Sequence, residues 1–439
     1  MTSFVLNRRR ERVDTLTPTE RRNFHHLYWD VAWYGLLAGS SVAFLAVYAA
    51  RIGASALQIG LLTAGPAAVS LLATLPVGRW LDHRAVGLTT FWAAVLFRAG
   101  YALWIFVPFL ASSTQQIGAL IWLVLLASVP GTLFAISFNA LYAAAVPPAW
   151  RGHVTGIRQA VLAFAYIVSS LFCGLLLDTL SLETGYAIVF GLGLLGAIMS
   201  TIHLFFLRNV VADKEVGSIR TVITDYARPG SNRAFAMAPR LSVGLRSLVS
   251  HSKLLRVDVL RRGSYGGVML GLFAFHFAQY LPAPLFALRW VNQLGFSDLV
   301  ISQATAVFYA AVFIGSLQLD WLTRRYGHHR LTVAGALLLS SYPLFMALMT
   351  DVTLYMAGSI LGGLAWAVVG GALANYLLDQ APDEDKASYL AWYNLALNAA
   401  ILSASLLGPL LAALMGVVPA LLASFVLRVL AGVIIWRAG

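Results

Sequence analysis

The 439-residue chain is 59% hydrophobic and only 11% charged, with a mean hydropathy of +0.78. A soluble domain carries roughly 25% charged residues, so a water-soluble globular fold is excluded and an integral membrane protein is indicated. The formal net charge of +12 does not point to nucleic acid, because the basic residues sit in the N-terminal tail, one central segment and short turns, where a membrane topology puts them. The single cysteine, Cys173, lies in an apolar run and excludes an intramolecular disulfide.

Thr17-Pro18-Thr19-Glu20 is a capping box with proline at the first helical position. It predicts a short helix lying along the membrane interface, with His25, His26, Tyr28 and Trp29 at headgroup depth. Residues 1–28 are thus expected to be a cytoplasmic tail carrying that interfacial helix. No small-residue cleavage site follows a short apolar run, so no removable signal peptide is expected. A spanning helix needs about 20 mostly apolar residues. Twelve such spans are predicted, at 29–50, 56–77, 88–110, 116–146, 154–177, 185–207, 264–290, 298–319, 331–350, 352–378, 388–414 and 417–436. Six form an N-terminal bundle over 29–208 and six a C-terminal bundle over 263–439. Between them, 209–262 is the one long polar stretch, with Pro229, Gly230 and Pro239. It is expected to be a cytoplasmic linker, in which Leu241 to Leu260 suits an amphipathic surface helix.

The second half repeats the first. Gly53-Ala54-Ser55-Ala56-Leu57-Gln58-Ile59 opens the second span and Gly295-Phe296-Ser297-Asp298-Leu299-Val300-Ile301 the eighth, both reading G-x-S-x-L-x-I. Both spans then end in an acidic-basic turn, Gly78 to Arg84 and Asp320 to Arg330. Asp82 lies 29 residues after Gly53, but Asp320 only 25 after Gly295. That difference is about one helical turn, so the halves are expected to be related but not interchangeable. Arg151 precedes Gly174 by 23 residues, and Asp385 precedes Gly408 by the same interval. An even number of spans per half makes the repeat parallel. The expected fold is therefore an all-α integral membrane protein, with 12 transmembrane helices in two six-helix halves related by a pseudo-two-fold axis along the membrane normal. Arg79, Arg84, Arg151, the central segment, Arg324, Arg325, Arg330, Lys386 and Arg437 share one side. The positive-inside rule makes that side cytoplasmic, with both termini inside and a bacterial inner membrane as the location.

On these features the chain resembles the major facilitator superfamily over about residues 25–436. The family's signature between its second and third spans runs Gly, three residues, Asp, a basic residue, one more, Gly, then basic residues. Gly78 and Asp82 match it; Arg84 is displaced and Gly87 falls late. The second copy offers Asp320, Arg324, Arg325, Gly327 and Arg330, with Gly315 one residue too far from Asp320. The resemblance implies that Gly78, Asp82, Arg84, Asp320, Arg324 and Arg325 act as cytoplasmic gates. An Asp at a helix end can pair with Arg and with a neighbouring helix N-terminus in one conformation only. The alternative is plain topology, in which charges simply end spans. Many proton-driven drug exporters of the family carry a Gly-Pro-rich motif in the fifth span. Here Val168 to Leu175 has no proline, while Gly408-Pro409 stands at the matching place in the eleventh.

Ionisable groups inside a membrane cost roughly 2.5–3.5 kcal/mol each at a helix centre, so the few present are informative. Arg98 lies mid-span and is expected at a central cavity, as an anion site or a structural pair. Asp30 shares a helical face with Trp33, Tyr34 and Leu37; it is the candidate proton-coupling group, or else an interfacial cap or arginine partner. His276, Gln279 and Tyr280 share a face of the seventh span, as a titrating site or as interhelical hydrogen bonds. Asn394 and Asn398 make a polar stripe on the eleventh span, Asn139 and Tyr142 a pair on the fourth, and Trp366 stands among glycines in the tenth. These are cavity-lining candidates, and polar stripes also serve as helix–helix glue.

No phosphate loop, H-E-x-x-H, Cys/His metal cluster or ATP-binding pattern occurs. No enzyme, cofactor or metal is therefore expected. The leading expectation is a monomeric secondary active transporter, surrounded by membrane lipid, that exports small amphipathic organic compounds by proton-coupled alternating access. The alternatives are an importer (symporter) of a sugar or organic acid whose carboxylate Arg98 binds, and a non-transporting sensor or lipid flippase-like protein.

Overall fold

The computed structural model describes residues 16–81, 84–207, 260, 265–380 and 386–438. The first half is built of α1 (Pro18–Leu37), a π-helical turn (Ala38–Val42), α2 (Ala43–Arg51), α3 (Ala56–Leu81), α4 (Val86–Trp104), α5 (Ser113–Ala145), α6 (Pro148–Thr179) and α7 (Leu182–Leu207). The second half has α8 (Tyr265–Tyr280), α9 (Ala283–Leu288), a second π-helical turn (Arg289–Gln293), α10 (Asp298–Leu317), a short α11 (Leu319–Tyr326), α12 (His328–Leu348), α13 (Val352–Asp379), α14 (Lys386–Met415) and α15 (Val417–Ala438). Among the described residues 12 helical segments are long and apolar enough to cross a membrane, one for each predicted span. In hydrocarbon only a helix or a closed barrel satisfies its own backbone.

Two elements differ from expectation. The capping box forms: the Glu20 N–H donates to Thr17 Oγ1 at 3.2 Å, and the Thr17 N–H to the Glu20 carboxylate at 2.9 Å. Yet the helix it opens does not stop before the span. No proline or left-handed glycine intervenes until Gly53, so α1 runs straight through the π turn into α2, and among the described residues no separate interfacial helix precedes the span. The seventh span, expected as one helix, breaks at Leu281 and Pro282. Pro282 and Pro284 remove two backbone donors there.

The G-x-S repeat is a matched pair of turns. Gly53 (φ 85°) and Gly295 (φ 64°) both take the left-handed conformation that ends a helix. Two residues on, Ser55 Oγ accepts from the Gln58 N–H at 3.3 Å and Ser297 Oγ from the Val300 N–H at 3.3 Å. Each serine is thus the N-cap of the next span.

The helix pairs of the two halves correspond one for one. α1 packs on α6 and α7, α5 on α3 and α4, and α4 on α7. Equivalently, α8 packs on α14 and α15, α13 on α10 and α12, and α12 on α15. The halves meet along α3 with α14 and along α6 with α10, two seams that a two-fold exchange of the halves maps onto each other. Glycine permits both: a methyl group on Gly60 would collide with Ser405 and Pro409 of α14, and one on Gly174 with Ser302 of α10.

Buried apolar side chains divide unequally between the two ends. At the end away from the termini, here the far end, one continuous core takes residues from both halves, including Phe44, Tyr48, Cys173, Phe190, Leu285, Phe296, Met346 and Tyr355. Nearer the termini each half has its own core: Phe24, Leu27, Leu141 and Leu204 in the first, Leu272, Phe275, Leu373 and Leu390 in the second. The molecule is closed at its far end and consists of two separately packed bundles at the terminal end.

Arg428, which no sequence motif marks, holds the second bundle together. It is 1% exposed in the middle of α15. Its Nη1 donates to Leu339 O at 2.9 Å, its Nε to Ala278 O at 3.2 Å and its Nη2 to Gln279 O at 3.2 Å. Leu339 lies four residues before Pro343, and Ala278 four before Pro282. Both carbonyls lack a helical donor because the proline in that position has no N–H. One guanidinium therefore replaces bonds that two neighbouring helices lost to proline.

Candidate functional site

The first half contains a buried charge cluster drawn from four spans. Asp30 on α1 is 3% exposed and Arg98 on α4 4%. Arg98 Nη2 lies 3.7 Å from Asp30 Oδ1, and Arg158 Nη2 on α6 lies 3.4 Å from Asp30 Oδ2. The Ser200 hydroxyl on α7 donates to Asp30 Oδ1, and Arg98 Nη1 donates to Thr201 Oγ1 at 2.9 Å. The α5 helix supplies ring faces: Arg98 lies over Phe134 at 5.1 Å, and Arg158 over Phe138 at 4.9 Å and Tyr142 at 5.3 Å. Asp30 and Arg98 both stand out in the sequence, and the structure joins them. Arg158 does not. Its signal was a third basic residue in a region where spans tolerate very few, seven residues after Arg151 and so on the same helical face.

Tyr142 donates from its hydroxyl to Arg151 O at 3.1 Å and lies 2.7 Å from Thr155 Oγ1. Asn139, one turn earlier, is half-buried. Trp33 is half-buried on α1, and Tyr34 packs against the far-end core. Between the halves, Tyr166 of α6 meets Tyr309 of α10 at 4.6 Å between ring centroids.

The candidates of the second half form a separate group. His276 Nε2 lies 2.9 Å from the Tyr393 hydroxyl, so the histidine ties α8 to α14. Asn394 Nδ2 donates to Leu390 O and Asn398 Nδ2 to Asn394 O, each at 2.9 Å. Buried without a hydrogen-bond partner are Gln279 Oε1 and Asn398 Oδ1. Trp366 is half-buried beside this bundle's core.

Of the gate candidates, Asp320, Arg324 and Arg325 lie on α11, where Arg325 stands over the Trp321 ring at 5.6 Å. Arg84 stands over Trp80 at 4.4 Å. Gly78 falls in α3. Asp82 lies outside the described residues, as does most of the 209–262 segment.

The family model described as Major Facilitator Superfamily matches residues 32–262 and 268–438. The chain belongs to the major facilitator superfamily. Membership makes it a secondary transporter of the multi-pass membrane class, with a small-molecule substrate, and not an enzyme. The human organic anion transporter MFSD10 (TETRAN) superposes with a TM-score of 0.61 at 14% identity, over 95% of this chain and 100% of that one. The nucleoside transporter NupG, solved as a single-residue mutant, superposes at 0.64 with 12% identity, over 95% and 99%. At these identities the likeness is one of fold. No curated protein matches the chain.

A transporter that is closed at one end needs bonds there that can open. Arg51, at the end of α2, donates from Nη2 to Phe296 O at 2.6 Å and lies 3.4 Å from Asp298 Oδ1. The Tyr186 hydroxyl donates to the same carboxylate at 3.1 Å. Asp178 Oδ1 accepts from the Leu299 N–H at 3.2 Å, at the start of α10. Each bond joins the first half to the second at the far end. The native Cys173 is 0% exposed in the same core and reports on its opening. Asp298→Asn is expected to raise the maleimide labelling rate of Cys173 about tenfold, the change in open population that ~1.4 kcal/mol produces. A rate equal to wild type would count against this contact as a closing device.

Proposed function

We propose that the protein carries a small amphipathic organic anion together with a proton, by rocking of its halves, 29–208 and 263–439, about the cleft between them. The observation that carries this reading is the charge count of the buried cluster: one carboxylate, Asp30, faces two guanidiniums, Arg98 and Arg158. An uncompensated charge is costly away from water. An anionic substrate brings the set to neutrality, whereas a cationic one adds to the excess. Arg158 is the arm that meets it. Its side chain is 15% exposed against 4% for Arg98; the Nε of each lacks a hydrogen-bond partner, so it is the exposure that sets Arg158 apart. Phe138 gives the substrate's apolar body a ring surface, whereas Tyr142, a cavity-lining candidate, is buried at 2% exposure in the bundle core. On the other half, Gln279 Oε1 and Asn398 Oδ1 are acceptors for a donor on the substrate.

Coupling follows from exchange of partners. With the substrate carboxylate on Arg158 the cluster is neutral, and a proton taken up by Asp30 restores only the single excess charge that the empty cluster already holds, so loaded and empty sites carry the same net charge and the two ions bind and cross together. This favours the organic-acid symporter over proton-exchange efflux, since exchange requires substrate and proton to compete. The efflux reading retains one support, the half-buried aromatic surfaces of Trp33, Tyr34 and Trp366, which suit uncharged amphipathic compounds. The Arg/Lys asymmetry supports a cytoplasmic terminal end, and with the far end closed the cluster then belongs to an inward-facing state. Gly78, Asp82, Arg84, Asp320, Arg324 and Arg325 are the gates proposed for the opposite closure.

Binding of an aromatic carboxylate to the purified protein tests the charge count. Arg158→Gln is expected to weaken it about a hundredfold, within the range for losing one partner of a desolvated charge pair, and Arg158→Lys to recover part of that. Equal affinity for the carboxylate and for its amine analogue, or an unchanged affinity in Arg158→Gln, would reject the anion reading.

A further inference from the structure

On the outer flank of the first bundle, away from both seams between the halves, α4 and α7 leave a cavity of about 500 Å³. Its walls are Phe91 and Val95 from α4 and Ile198, Ile202 and Phe206 from α7, and its floor is Arg98 and Thr201. Ile198 is 49% exposed, Ile202 43% and Phe206 44%, so the groove opens outward, into what is hydrocarbon for a spanning helix. From Leu194 to Phe206 it runs about 18 Å along the helix axis, close to the ~15 Å depth of a single leaflet.

The end of this groove nearer the termini is polar. Phe206 stacks on His26 at 4.7 Å between centroids, and His26 Nδ1 lies 3.1 Å from His203 Nδ1. Trp29 stacks on His203 at 6.2 Å. Arg22 is exposed one turn before His26 on the same face of α1. An apolar slot one leaflet long thus ends beside an arginine and two imidazoles at the depth where headgroups lie. We infer that this groove binds one anionic phospholipid, with an acyl chain between α4 and α7 and the phosphate at Arg22, His26 and His203. The acyl chain covers the floor of the groove, over Thr201 and the nearly buried Arg98, and so adds to the apolar cover of the guanidinium that holds Asp30. The assignment does not depend on which substrate is carried.

The test compares phosphatidylglycerol with phosphatidylcholine of identical chains, added to detergent-purified protein. Phosphatidylglycerol is expected to raise the thermal midpoint by roughly 5 °C and to persist through purification at one molecule per chain; phosphatidylcholine does neither. Ala99→Phe, which fills the groove from an exposed position on α4, is expected to abolish both effects while leaving the lipid-free midpoint unchanged. Should that variant fold poorly, Ile202→Trp fills the groove from the other wall. Arg22→Gln combined with His203→Gln is expected to reduce phosphatidylglycerol to the level of phosphatidylcholine. Equal stabilisation of the wild type by both lipids overturns the proposal, as does undiminished phosphatidylglycerol binding in a folded groove-filling variant.

Discussion

Asp30→Asn is expected to destabilise the protein by about 3–5 kcal/mol, the cost of removing one partner from a buried ionic group. The substitution keeps the shape and one acceptor for the Ser200 hydroxyl. It leaves Arg98 and Arg158, which now share that carboxylate, as two cations without a counter-charge. Removing one of the cations should therefore reverse the loss: Asp30→Asn with Arg98→Gln is expected to be more stable than Asp30→Asn alone. Thermal unfolding in detergent measures both. Additive losses in the double variant would mean that the three side chains do not act as one ionic group.

Arg428→Met is expected to cost about 3 kcal/mol, and the reason lies in two other helices. Each buried carbonyl left without a donor costs about 1–3 kcal/mol. Arg428 serves three, at Leu339, Ala278 and Gln279. Relief from burying the guanidinium offsets part of that loss. Pro343 offers the sharper test. Pro343→Ala restores the backbone N–H that bonds Leu339 O, so Arg428→Met should cost less in that background than in wild type. Equal losses in the two backgrounds would show that the arginine does not stand in for the missing helical bond.

Much of this architecture was legible because it depends on composition and local chemistry. Twelve apolar runs gave twelve helical segments, since hydrocarbon leaves the backbone little choice. The G-x-S copies marked helix ends, because glycine and serine do that work within a few residues of themselves. The capping box at Thr17 marked where a helix starts, but nothing between it and Gly53 could end one, and the supposed interfacial helix joined the span. Pro282 and Pro284 carried the break of the seventh span, which a hydropathy criterion alone does not register.

The candidate site was legible by residue and not by partnership. Asp30 and Arg98 stood out because charges are costly in a span. Nothing local says that they meet, since 68 residues separate them and the α1–α7 and α4–α7 contacts bring them together. Arg158 does not stand out in the sequence because it lies in a stretch already polar at Arg151 and His153. Arg428 was a mid-span charge as conspicuous as Arg98. Its explanation required seeing that Pro343 and Pro282 each free a carbonyl four residues back, on helices brought beside it only by the fold.

The proposed joint movement of an organic anion and a proton is tested most directly by transport. Reconstituted in proteoliposomes with a pH-sensitive dye inside, the wild type is expected to accumulate a labelled aromatic carboxylate on the alkaline side of an imposed pH gradient. Dye acidification should keep pace with uptake, and both should be lost in Arg158→Gln. Carboxylate flux that is indifferent to the gradient, or that drives protons the opposite way, would contradict the account.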